Sequence, residues 1–145
     1  MAKYKQDVFI PKNPDKYVGN RVPYYRSSWE LHFMGMCDEN INIVKWASEP
    51  IRIPYVNPIT NEKTVYIPDF LIEYIDKAGK RHVELIEIKP GKQTHISEAK
   101  SKADKVALMI NAQKWKTAAA FCEKRGIKLR IINENDIFQN YKKKK

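Results

Sequence analysis

Apolar positions along this chain switch between a period of two and a period near 3.6, and the switches mark out its elements. Trp29, Phe33, Met36 and Cys37 fall on one helical stripe behind Arg26-Ser27-Ser28, which reads as a helix start. Two short strand patterns follow, Ile41 to Trp46 and Ile51 to Val56, flanking Ser48-Glu49-Pro50, and Asn57 to Glu62 then reads as a turn. Lys63 to Ile75 and His82 to Ile88 are rich in β-branched and aromatic residues, with the turn cluster Asp76 to Lys80 between them. Together these predict a meander of three strands feeding an antiparallel hairpin. From Ile96 to Arg125 the period is helical, with Ala99, Ala103, Val106 and Ile110 on one stripe and Trp115, Ala118, Ala119 and Cys122 on another. The phase changes at Asn111, so two helices or one bent helix fit. Gly126 is a helix stop, the alternation of Ile127, Leu129 and Ile131 predicts a last strand, and a short helix near Asn133 closes the pattern.

Residues 1–25 carry Pro11, Pro14 and Pro23 among lysines and aromatics and read as an extended basic arm that either wraps the domain or lies along a polyanion. The expected division is this arm, a domain over 26–140 and a lysine tail over 141–145. Helix, strands, helix, strand is the order of a mixed central sheet flanked by helices, an α/β (α+β) architecture of αβββαβ type.

The hairpin fixes its own register. A loop of Asp76 to Lys80 sets Ile75 opposite Arg81 and, at the far end, Asp69 opposite Glu87. Lys89 lies two residues on, on the same face. Pro68 lacks a backbone donor, so Asp69 is expected where regular pairing is disturbed.

Composition narrows the partners. Lysine and arginine total 27 against 17 acids in 145 residues, a formal charge of +10 that favours a polyanion. Cys37 and Cys122 lack paired ligand spacing and read as reduced core residues. No signal peptide or membrane-length apolar run is expected. His32, His82 and His95 have no paired spacing for zinc, and five glycines form no phosphate loop.

Two carboxylates and a lysine on one face, Asp69, Glu87 and Lys89, can build a divalent-metal site for cutting phosphodiesters. Clustered carboxylates repel, so they take up protons or bind a cation. All-oxygen ligation favours Mg²⁺ or Mn²⁺, with the Ile88 carbonyl a further donor. Glu30 admits two readings: a third carboxylate aimed at the sheet, or the acidic member of a Ser27-x-x-Glu30 capping box.

The ordered set Arg26-Ser27-x-x-Glu30, Pro68-Asp69-Phe70 and Glu87-Ile88-Lys89 resembles the PD-(D/E)xK nuclease superfamily. With Trp115-Lys116-x-Ala118-Ala119 and the segment Gly126 to Ile137, it is similar to the head completion nucleases of T-even-type phages and to the endonuclease subunit of heteromeric transposases. The resemblance covers roughly Tyr25 to Phe138. It implies a restriction-endonuclease-like core, Glu30, Asp69 and Glu87 as metal ligands, Lys89 as the catalytic lysine, and DNA as substrate. It further implies a role at the phage head or its portal, in the infected host's cytoplasm or on the virion, with no membrane partner. The competing reading is a basic DNA-binding assembly protein that keeps the fold without cleavage.

Overall fold

A computed structural model describes residues 6–89, 101–133 and 136. The lysine tail, His95, the stretch around Ala99 and most of the closing helix expected near Asn133 lie outside the described residues.

A four-stranded sheet organises the chain. Its strands are β3 (Ile43–Ser48), β6 (Phe70–Ile75), β7 (Arg81–Ile88) and β8 (Lys128–Ile132), in the order β3-β6-β7-β8. The first two pairings are antiparallel and β7 with β8 is parallel, across the helix α2 (Lys102–Glu123). The helix α1 (Ser28–Glu39) precedes β3, so the core order is the expected αβββαβ. One correction concerns the meander. The run Lys63 to Ile75 is two strands, and its first part, β5 (Lys63–Tyr66), pairs with β4 (Ile53–Val56) in a separate ribbon. Ile67-Pro68-Asp69 breaks the run because a proline there cannot donate to a ladder. Strand β3 therefore skips the ribbon and pairs with β6.

The sheet has two covered faces. Phe33, Met34 and Cys37 of α1 pack against Ile43, Trp46, Phe70, Ile72, Ile86, Ile88 and Ile132. On the other side, Ala118 and Cys122 of α2 and Ile53, Tyr55 and Tyr66 of the ribbon enclose Leu85. Both cysteines are free and buried. Central β7 is thus buried on both faces from Glu84 to Ile88, each large apolar side chain there contributing roughly 1.5–3 kcal/mol.

Helix α2 is one helix, with Asn111 buried on the stripe that meets the sheet. Ser101 caps its start by accepting from the Asp104 N–H at 3.0 Å, and the helical pattern expected over 96–100 lies outside the described residues. Gly126 takes φ +70° just past its end, as a stop residue does.

Residues 6–25 wrap the domain. Strands β1 (Asp7–Val8) and β2 (Tyr24–Tyr25) pair with each other, and the Val18 N–H donates to the Trp46 carbonyl at 2.9 Å along the edge strand β3. Phe9 and Tyr17 meet the Trp46 ring edge-on at 5.8 and 4.7 Å. This covers an edge that would otherwise be open to pairing. The anchor is Asp38, 2% exposed at the end of α1, which accepts from the Lys12 and Asn13 N–H groups, both at 2.9 Å. Asp38→Ala leaves both donors without that acceptor and is expected to destabilise the fold by about 2–4 kcal/mol. Chemical denaturation should show the loss, and limited proteolysis should show new cuts within 6–25.

Candidate active site

The acids gather where the β6–β7 ladder stops. The observed register pairs Ile75 with Arg81 and Phe70 with Ile86, which puts Asp69 and Glu87 at the next opposed position, as the five-residue loop predicts. Strand alternation assigns Leu85 to the α2 side, so Glu87 and Lys89 share that side. The Ile88 N–H faces β6, since Lys89 N–H already reaches the Ile132 carbonyl on β8 at 2.9 Å. In this register Pro68 would lie opposite Ile88, and it has no N–H to offer. The Asp69 carboxylate instead takes the Ile88 N–H at 2.8 Å. The Ile88 carbonyl points to the same side as its N–H, so it loses its ladder donor at the mouth of the site. A proline-aspartate pair thus does two things locally: it ends the sheet and leaves oxygen atoms there.

Glu87 is 4% exposed. Its Oε1 accepts from the Tyr66 hydroxyl at 2.9 Å, and its Oε2 lies 3.4 Å from the Lys89 ammonium. Burial raises the Glu87 pKa, with Lys89 and the Tyr66 hydrogen bond opposing. Asp69 is pushed well above the usual carboxylate range, first by burial and then by the charge of Glu87, with Glu30 adding to it. The Tyr66 hydroxyl is in turn raised by burial and by Glu87.

Glu30 caps the helix start. The Ser27 hydroxyl accepts from the Glu30 N–H at 3.2 Å, and the Glu30 carboxylate accepts from the Arg26 N–H at 3.1 Å, a capping arrangement displaced by one residue from the simple box. Burial raises its pKa, and Lys89 lies close enough to oppose that shift. Among the described residues, however, no three carboxylates, thiols or imidazoles close into a ready-made ligand shell. Asp69 and Glu87 are brought together with Lys89 beside them, and Glu30 borders them. The repelling carboxylates take protein donors, the Ile88 N–H, Tyr66, Lys89 and the Arg26 N–H. The donor set still fits a hard divalent ion: acids driven toward the proton by burial and by each other are those a cation would relieve.

Two participants, Glu49 and Tyr66, escape the pattern-based reading; Lys114 does not, since with Gln113 it is a polar member of the long helix that fits substrate contact and a solvated face equally well. Glu49 carries φ +47°, donates its N–H to the Asp69 carbonyl at 2.8 Å and pairs with Arg26 at 3.3 Å. Its signal was only its place in a turn. Tyr66 looks like any strand tyrosine, and only the tertiary fold turns it toward Glu87. Burial and then Lys89 lower the Lys114 pKa, with Glu87 and Asp69 opposing, and its ammonium lies 5.7 Å from the ring of Tyr66, which holds Glu87.

His82 stands elsewhere. His82 opens β7, bonded to Asp76 at 2.7 Å and stacked on Tyr74, roughly 20 Å along the strand from Lys89. A cleft at that end is lined by Lys80, Arg81, Arg125 and Lys128, but it has no carboxylate pair. Arg81 there is held by Glu73 at 2.7 and 3.0 Å, and Arg125 lies over the Phe121 ring at 3.6 Å. Among the described residues no helix is long and apolar enough to cross a membrane.

Residues 40–134 match the family model described as TnsA-like endonuclease N terminal, which spans Asp69, Glu87 and Lys89 but begins after Glu30. The chain is 36% identical over 140 residues to the head completion nuclease of Enterobacteria phage T4, covering 89% of this chain and 91% of that protein. The αβββαβ sheet, the acids at the end of its central hairpin and these two matches agree on a restriction-endonuclease-like nuclease, and the chain belongs to the TnsA-like endonuclease family.

Proposed function

We propose that this chain is a Mg²⁺-dependent DNA endonuclease, able to use Mn²⁺, that acts in phage head completion on packaged DNA or its ends. The observation that carries the reading is the opposed pair of half-buried Asp69 and buried Glu87, with the Lys89 ammonium 3.4 Å from Glu87. Asp69, Glu87 and the Ile88 carbonyl would hold the ion, with Glu30 completing its protein ligands. When bound, such an ion lowers the pKa of a water and offsets charge on the phosphoryl oxygen. Tyr66 fixes the orientation of Glu87, as the Arg26 N–H does for Glu30. Lys89 orients the attacking water and neutralises charge as the phosphorus–oxygen bond breaks. The formal charge of +10 draws the polyanion to the cleft. Head and portal proteins are the expected partners, in the infected cell's cytoplasm.

Cleavage is the direct test. Supercoiled and linear DNA incubated with Mg²⁺ or Mn²⁺ should be nicked, chelator should stop it, and Asp69→Ala and Lys89→Ala should each slow it at least about 10²-fold. Tight binding with no metal-dependent nicking would instead favour the non-cleaving assembly protein.

Stability offers a second test, with a definite sign. Asp69, Glu87 and Glu30 all have folded-state pKa values above their ordinary ones. Their contribution is therefore fully present below about pH 4, where both states are protonated, and is lost as pH rises through the raised values. Metal-free protein should lose stability between pH 5 and 8 in urea denaturation. Mg²⁺ should restore it, more at pH 8 than at pH 5.5, because ligation needs the ionised acids. Asp69→Asn should raise metal-free stability at pH 7.5 by about 1–2 kcal/mol and remove the Mg²⁺ response. A Mg²⁺ response that survives in Asp69→Asn would place the ion elsewhere.

A further inference from the structure

Lys114 stands where an apolar residue is expected. Asn111, Ala118 and Cys122 are the buried positions of α2, and Lys114 falls on the same stripe, one turn before Ala118. Its stem is therefore drawn into the layer between α2, the sheet and the β4–β5 ribbon. Its ammonium lies 5.8 Å from the Tyr55 ring centroid and 5.7 Å from that of Tyr66, the tyrosine that also grips Glu87. Both separations are within cation–π range. Among the described residues no carboxylate comes within ion-pairing distance of it.

A half-buried cation without an anionic partner is costly, and nearby Lys89 makes it costlier. Two aromatic faces compensate only in part. They do something else as well: they hold the charge at one place, so that little freedom is lost when an anion arrives. Among the described residues the acids already have their own partners, Ile88 N–H and Lys89, and none of them pairs with Lys114, which leaves its charge open to an external anion.

Resting on the proposed nuclease reading, we propose that Lys114 binds a DNA backbone phosphate flanking the one that is cut, pre-placed by the rings of Tyr55 and Tyr66. Lys89 then serves the reacting phosphate and Lys114 its neighbour, so that a helix and a ribbon outside the Asp69–Glu87 hairpin set where the strand lies.

The test uses the full chain and a short fluorescent DNA duplex, first without divalent ions, across a series of NaCl concentrations. Lys114→Met, which keeps the apolar stem, should weaken binding about 5–20-fold, and the slope of log affinity against log salt should shrink by about 0.9, the share of one phosphate contact. Lys114→Arg should restore most of both. The thermal midpoint of Lys114→Met should equal or exceed that of the parent, since a poorly paired cation is removed, whereas a purely structural lysine would lower it. In cleavage with Mg²⁺, KM should rise while kcat stays within a few-fold. Unchanged affinity and slope in Lys114→Met overturns the assignment, as does a parent protein with no affinity for the duplex. A parent that binds but never cleaves sinks the nuclease reading alone, and the salt slope still decides Lys114.

Discussion

The constraint on which the rest depends is the proline that stops the β6–β7 ladder. A regular hairpin would pair every backbone group up to the turn of the chain, and its end would be inert. Pro68 cannot donate, so the Ile88 carbonyl loses its ladder donor, while the Asp69 side chain takes the Ile88 N–H at the same break. The proline–aspartate break thus leaves two kinds of oxygen, the Asp69 carboxylate and the Ile88 carbonyl, beside a glutamate that β7 buries on the α2 side. Everything catalytic in this account is built around that defect in the sheet.

The supporting structure explains why the defect can persist. Two repelling acids in a buried position are unfavourable unless neighbours supply donors, and here each neighbour comes from a different part of the fold. Tyr66 arrives on the β4–β5 ribbon, Lys89 from the end of β7 and Glu49 from the end of β3, locked by its own N–H to the Asp69 carbonyl. The arm, through Trp46 and Asp38, holds β3 and α1 in place and so fixes Glu49 and Glu30 indirectly. The site is dispersed over the chain but rigid in its surroundings.

Much of this was legible in the residues, for identifiable reasons. The hairpin register followed from one loop length, because a slip of one residue would have turned Asp69 and Glu87 to opposite faces. Alternation does not report which strand pairs with which. The meander expected from Ile41 to Ile75 became a sheet strand and a separate ribbon, since a proline within an unbroken β-rich run marks a change of partner as readily as an edge. Glu30 could not be divided between cap and ligand because the two are geometrically compatible; it caps the helix and lies within range of the Lys89 charge. Tyr66 carried little signal, as its importance comes from the tertiary approach of the ribbon to the sheet, whereas Lys114 already stood out as a polar member of a helix that packs on the sheet.

The central claim is that Asp69, Glu87 and the Ile88 carbonyl bind one divalent ion together. The most direct measurement is an anomalous difference map from crystals of the protein soaked in Mn²⁺. The account predicts a peak about 2.0–2.3 Å from oxygens of both Asp69 and Glu87, absent in Asp69→Asn. A peak bound elsewhere, or a fully occupied Mn²⁺ touching neither carboxylate, would contradict it.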